Sequence, residues 1–248
     1  MKHRLQLTGA SLKVLACAAM FADHAVKVLP AGRVTYLILS SVIGRIAFPV
    51  FCFLLTEGFF RTKDRGRYLL RMVLFAALSE VPFDLAIYQT FWYPRYQNTL
   101  WSLSLGLLMF CCLHRIEQFR DMRAGASWIA RGAVIGGFCA AAHALHVDYG
   151  ARGLLCLAVL YCLWSLHYAV PEEAREKTQL SVGFPAFWAA VWGCVCLNLK
   201  RFSNPGAFLA AILLYFYSGE RGRVRSKYLF YIFYPAHLLL LCALRAVL

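Results

Sequence analysis

The sequence predicts an all-α fold: a polytopic membrane helical bundle of about nine transmembrane helices, with the N-terminus cytoplasmic. Composition is the first reason. The chain has 248 residues, 61% hydrophobic and only 15% charged, with a mean hydropathy of +0.60. A soluble domain carries about 45–50% apolar and about 25% charged residues, so a water-soluble enzyme and a disordered chain are both excluded. The second reason is that apolar stretches recur along the whole chain. Crossing a bilayer takes roughly 20 such residues, because each backbone polar group must be satisfied within the helix. The third is where the charge lies. With 26 Lys and Arg against 12 Asp and Glu the net charge is +14, which on a soluble chain points to nucleic acid. Here the bases gather between alternate apolar stretches, so they orient helices and no nucleic-acid partner is expected.

The spans are expected at approximately 8–29, 34–60, 68–89, 99–115, 127–147, 152–170, 181–199, 205–218 and 228–247. No interval between them is long enough for a soluble domain, so residues 1–248 read as one integral-membrane unit, with its chemistry inside the bundle or at its rim. Lys and Arg favour cytoplasmic loops, and more than half of the 26 fall in 1–7, 61–67, 115–126, 171–180 and 219–227. That places the N-terminus inside and the C-terminus outside. Lys200-Arg201 runs against the pattern, and the segment 205–218 is short and opens with Asn204-Pro205-Gly206. A tilted or partial helix is expected there. The basic Met1-Lys2-His3-Arg4 precedes an apolar run that contains Lys13 and Asp23-His24 and has no convincing cleavage site, so it reads as an uncleaved first helix. The ten cysteines lie in apolar spans without a CxxC pair. They read as small hydrophobes, and no metal is expected.

An ionisable group in hydrocarbon costs roughly 2.5–3.5 kcal/mol on insertion scales, so it faces the bundle interior with a partner or a task. Asp23, Glu57, Glu80, Asp84 and, at a margin, Asp148 are placed this way. In the first span Asp23-His24 lies roughly 24 Å up from the inner end, in the outer half. Imidazole can take and return a proton near neutrality. Adjacent helical residues point about 100° apart, so Asp23 is poorly placed to hold His24; Lys27, one turn on, is its local partner. In the second span Pro49 removes a donor and crowds the carbonyl of Arg45, which predicts a kink beside the span's guanidinium. Arg45 cannot be neutralised and needs a carboxylate or an anionic ligand. Glu57 has Arg61 one turn away. In the third span Glu80 and Asp84 share a face: one is protonated, or Arg45 or Arg71 is near. Pro82 adds an expected second kink. His143, His146 and Asp148 close the fifth span, and His237 follows Tyr231, Tyr234 and Pro235 in the ninth. The titratable groups of spans one, three and five therefore gather in the outer half. Arg61, Lys63, Arg65, Arg67 and Arg71, with Arg221, Arg223, Arg225 and Lys227, lie at the inner face. Orientation accounts for most of these bases, and they also suit an anionic cofactor gripped from the cytoplasm.

These residues carry a resemblance. Lys13 with Asp23-His24, then Gly44-Arg45 through Phe48-Pro49 to Glu57-Gly58-Phe59 and Thr62, then Tyr68, Arg71, Phe75, Ser79 and Pro82-Phe83-Asp84, resemble the TraX family of integral-membrane acetyltransferases. Later matches are Asn98-Thr99-Leu100 with Leu105-Gly106, Asp148-Tyr149-Gly150 with Gly153, and Tyr234-Pro235-x-His237. The resemblance implies a multi-pass protein of the bacterial inner membrane. It implies acetyl-CoA as acyl donor and a pilin-like peptide amine, a sugar or a lipid head group as acceptor. It further suggests His24 as the catalytic histidine with Asp23 beside it, and Arg45 and Glu57 as site-forming.

Acyl transfer from a thioester needs a base, a group to stabilise the oxyanion, and cations for phosphates. The residues supply candidates for each. His24 is the expected general base, with Asp23, Asp84 or Asp148 orienting or charging it. Asn98 or Arg45 stands near the oxyanion, and Arg61, Arg65, Arg67 and Arg71 on the phosphates. The alternative is a proton-coupled transporter, since intramembrane Asp, Glu and His with Pro-kinked helices also describe a proton relay; the odd span count and absence of a repeat stand against it. A scaffold whose polar residues lock helices together is a third reading.

Overall fold

In the computed structural model, residues 6–119, 123–170, 182–199, 204–223 and 227–248 are described. Lys2 and Arg4, the stretch 171–180, Lys200-Arg201 and Arg225, which bear on the orientation argument, lie outside these residues. Among the described residues the chain is helical, with isolated bridges but no strand. The nine expected segments appear in order: α1 (Gly9–Val28), α2 (Arg33–Arg61), α3 (Arg65–Ile87), α4 (Thr99–Gln118), α5 (Ala124–Ala144), α6 (Gly150–Ala169), α7 (Gly183–Leu197), α8 (Pro205–Tyr215) and α9 (Lys227–Val247). By length and composition α1, α2, α4, α6 and α9 can each cross a membrane, while α7 and α8 are shorter apolar helices. The shortness of α8 matches the partial helix expected after Asn204-Pro205-Gly206.

Local chemistry sets the helix starts. The Thr8 hydroxyl accepts the Ser11 N–H at 3.2 Å at the head of α1. Asp64 accepts the Arg67 N–H at 2.9 Å before α3, and Asn98 accepts the Leu100 N–H at 3.0 Å before α4. Each fills a donor that the first helical turn leaves unpaired. In α2, a turn at Arg33–Tyr36 gives way to a π-helical stretch, Leu37–Ile43, and a 3-10 turn, Gly44–Ile46, before regular α-helix from Ala47. Pro49 has no N–H for the Arg45 carbonyl, and the irregular backbone falls at the kink expected there. By contrast, α3 runs through Pro82 as one continuous helix.

Two ends of the bundle can be distinguished. At the inner end Leu7 pairs with Tyr217, and Arg61 donates to the Gly219 carbonyl at 2.6 Å. At the outer end Gln97 pairs with Val147, and Arg245 donates to the carbonyls of Leu85 and Ala86, each at 2.9 Å. The chain thus alternates direction as the loop charges require. Helix α2 is central, touching α1, α4, α6, α7 and α8, and α9 lies against α1 and α3. The interior is an apolar core with a few buried polar groups, and the exterior is apolar as well. Leu70, Leu74 and Leu78 form an outward stripe 57–62% exposed, while Asp23, His24, Glu57, Asp84, Asn98 and His237 are all buried. An apolar exterior, with the costly polar groups turned inward, is the distribution a bilayer selects.

Candidate functional site

A cavity of about 250 Å³ opens among the outer portions of α1, α2, α3, α4 and α6. Its polar lining comprises His24, Asp23, Lys27, Arg45 and Asp148, set among Phe48, Phe51, Phe83, Tyr88 and Tyr149. Four of the residues expected to be catalytic are therefore neighbours. Gly44 permits this approach: a Cβ there would stand 2.5 Å from the Cβ of Asp23, so only glycine lets α1 and α2 close at this level.

Asp23 does not orient His24. Its two oxygens are taken by Lys27 at 2.6 Å and by the Ser40 hydroxyl at 2.6 Å. His24 instead meets a second histidine, with Nδ1 2.7 Å from Nε2 of His237. The rings are nearly parallel, with centroids 5.0 Å apart. His237 Nδ1 in turn lies 2.7 Å from the Phe233 carbonyl. A carbonyl only accepts, so that nitrogen carries the proton. A neutral His237 then offers a lone pair at Nε2, His24 donates from Nδ1, and the lone pair of His24 is left on Nε2. This is the tautomer a general base requires.

Arg45 faces the same cavity and is under-bonded. Its Nη1 reaches the Tyr149 hydroxyl at 3.5 Å, the limit of a hydrogen bond, and its buried Nε has no partner. Tyr149 is held in a left-handed conformation, φ 62°. Its ring stacks on Phe48 with centroids 3.8 Å apart. Gly153 makes room for the pair, since a Cβ there would lie 2.8 Å from the Tyr149 Cβ and 3.1 Å from the Phe48 ring. Strained backbone of this kind costs of order 1–3 kcal/mol and persists where the surroundings over-determine it. Asp148 anchors the rim: it accepts from the Tyr96 hydroxyl at 2.6 Å, the Thr99 hydroxyl at 2.5 Å and the Tyr149 N–H at 2.9 Å. With those bonds made, Asp148 ties the 88–98 loop, α4 and α6 together, and does not hold His24.

Other expected site residues lie elsewhere. Glu57 is about three turns down α2 from Arg45, roughly 18 Å, where it accepts from the Tyr217 hydroxyl at 2.5 Å and pairs with Arg61 at 3.0 Å. Asp84 accepts the Tyr93 N–H at 2.7 Å and folds the outer loop back on α3. Asn98 donates to the Ala76 carbonyl at 2.9 Å and to Glu80; it caps a helix and does not line the cavity. Among the four arginines expected on phosphate, Arg67 pairs at the surface with Asp64 at 3.0 Å. Arg65 and Arg71 lie over the rings of Phe59 and Tyr68. All four belong to the inner half. Tyr149 lines the cavity, and His237 and Ser40 hold its residues His24 and Asp23 from behind; the sequence assigned none of the three a role. The Tyr234-Pro235-x-His237 spacing drew attention to His237, but nothing local revealed which helix it faces.

Comparison with known proteins bears on the whole chain. No solved structure matches. The chain is 27% identical over 255 residues to a "Probable fimbrial assembly protein FimC, serogroup H1" from Dichelobacter nodosus, with 98% of each chain covered. The family described as TraX protein matches residues 8–245. With the match covering nearly the whole chain and every residue of the cavity, the chain belongs to the TraX family.

Proposed function

We propose that the protein is an acetyltransferase of the bacterial cytoplasmic membrane, transferring acetyl from cytoplasmic acetyl-CoA to an amine or hydroxyl presented at the cavity, with His24 as general base. The observation that supports it best is the Phe233–His237–His24 hydrogen-bond chain, which leaves an unprotonated Nε2 on His24, a residue lining the cavity that also holds an under-bonded Arg45. His24 Nε2 takes the proton from the acceptor as its nitrogen or oxygen attacks the thioester carbon. The carbonyl electrons move onto oxygen, and the guanidinium of Arg45 stabilises that negative charge. When the oxyanion collapses the C–S bond breaks, and the CoA sulfur leaves with the proton returned by His24. His237 holds the imidazole in position and shares the charge it carries between these steps. The aromatic wall excludes water, which would otherwise hydrolyse the thioester.

The relative's printed name concerns fimbrial assembly, which favours the amine of a pilin-like subunit over a sugar or lipid head group. A cavity of about 250 Å³ suits an acetyl group and one residue-sized end of the acceptor. The reading also requires the acyl arm to reach the cavity from the inner face, about 24 Å along α2 between Arg61 and Arg45. Positions 46–55 of α2 carry no charged side chain. Along this stretch of α2 no charged side chain relays a proton, which counts against a transporter path on this helix. The decisive measurement follows radiolabel from acetyl-CoA onto a pilin-like peptide with a free amino terminus, using protein reconstituted in bilayers. His24→Ala should lower transfer by about 10²–10⁴-fold, with an unchanged thermal midpoint. Full transfer by that variant would remove His24 as the base.

A further inference from the structure

At the inner end of the bundle, remote from the cavity, α2, α3, α4 and α6 meet around the ring of Phe59, with Arg131 of α5 joined through Glu117. The Arg65 guanidinium carbon lies 4.4 Å from the ring centroid, and the His114 ring stands edge-on with centroids 5.9 Å apart. Tyr161 meets the same ring at 5.9 Å and donates its hydroxyl to Glu117 at 3.0 Å. Glu117 is 3.8 Å from Nη1 of Arg131 and 3.5 Å from Nδ1 of His114.

Among the described residues, three nitrogens of this cluster are buried without a hydrogen-bond partner: Nε of Arg65, Nδ1 of His114 and Nε of Arg131. The 3.5 Å approach of His114 to Glu117 makes no hydrogen bond. Gln118 Nε2 lies 3.2 Å from His114 Nε2; an amide nitrogen donates, so a neutral His114 keeps its own proton on Nδ1, which has only the long approach to Glu117. The cluster holds one carboxylate, paired with Arg131, and two guanidinium groups, which leaves net positive charge even with His114 neutral. Buried donors left unpaired are costly and rare. Arg61 and Arg67 differ from these residues, since each has a carboxylate at 3.0 Å.

We infer that Arg65, His114 and Arg131 form an inner-face site for a phosphate-bearing anion. Guanidinium forks match phosphate oxygens in geometry and charge, and basic pockets between helices at the cytoplasmic side suit phosphorylated head groups. Two sources share this chemistry: the phosphates of the acyl donor and the head group of an anionic phospholipid. The first rests on the proposed acetyl-CoA reading, and the second is independent of it.

The test uses the full chain in nanodiscs of phosphatidylcholine, titrated calorimetrically with free coenzyme A, so that no turnover is involved. If the donor occupies the site, Arg65→Gln and Arg131→Gln each weaken binding roughly ten- to hundredfold. If a lipid does, native mass spectrometry from discs containing phosphatidylglycerol shows a retained phosphatidylglycerol in the wild type that both variants lose. Size-exclusion profile and thermal midpoint report whether each variant is folded, and Arg131→Lys keeps the charge should Arg131→Gln misfold. Coenzyme A affinity and lipid retention that are the same in wild type and folded variants, or absent from the wild type, overturn the site. An enzyme that binds coenzyme A here yet transfers no acetyl group would count against the proposed function and leave this inference standing.

Discussion

His24 and Asp23 are adjacent in sequence and do different work. The carboxylate is held by Lys27 and Ser40, and the imidazole by a histidine 213 positions away. The i, i+4 pairing of Asp23 with Lys27 was legible from helical geometry alone, as was that of Glu57 with Arg61. The His24–His237 contact was not, because it depends on α9 returning beside α1. On the proposed function His237 positions His24, and this gives a specific expectation. His237→Ala should lower kcat for acetyl transfer by about 10–100-fold, less than loss of the base itself, with KM little changed. His237→Gln retains an amide oxygen able to accept from His24 Nδ1 and should recover part of that loss. Steady-state kinetics on both variants decide it; equal defects would reduce His237 to packing.

Helix α2 shows how far an element can be read from its residues. Pro49 forecast the irregularity beside Arg45, since a missing N–H and a crowded carbonyl are local facts. The π-helical turn at Leu37–Ile43 was not forecast, and π-turns often mark functional segments. The glycine at 44 also has its explanation outside its own helix, since a Cβ would meet Asp23 of α1 at 2.5 Å. Gly44→Ala should therefore destabilise the protein by about 1–3 kcal/mol through overpacking, seen as a lowered thermal midpoint in nanodiscs. An unchanged midpoint would show that α1 and α2 can separate at no cost. In α3, the shared face of Glu80 and Asp84 suggested one proton or one arginine between them. The structure divides them, giving Glu80 to Asn98 and Trp101 and Asp84 to the Tyr93 N–H.

Over the whole molecule, charge placement predicts orientation. Lys63 and Arg95 are both exposed, at opposite ends of the bundle. Against the background of the native cysteines, Arg95→Cys should react with a membrane-impermeant maleimide in intact spheroplasts. Lys63→Cys should react only after the membrane is opened, and the reverse pattern would invert the topology. The cavity lies towards the Arg95 end and the anion cluster towards the Lys63 end, so the two sites address opposite faces of the membrane.

The sequence by itself determined the membrane class, the nine helical segments and their alternation, because hydropathy, helix period and loop charge are local quantities that a bilayer reads directly. It also singled out the scarce buried charges, since each is costly wherever it lies in hydrocarbon. Only the tertiary structure decided which of them meet. It put His24, Arg45 and Asp148 around one cavity and gave His24 a histidine partner. It spent Glu57, Asp84 and Asn98 on holding helices and loops, and left Arg65 and Arg131 short of partners. The reason is that a hydrogen bond depends on separations of a few tenths of an ångström between helices distant in sequence, which packing sets and helical periodicity does not encode.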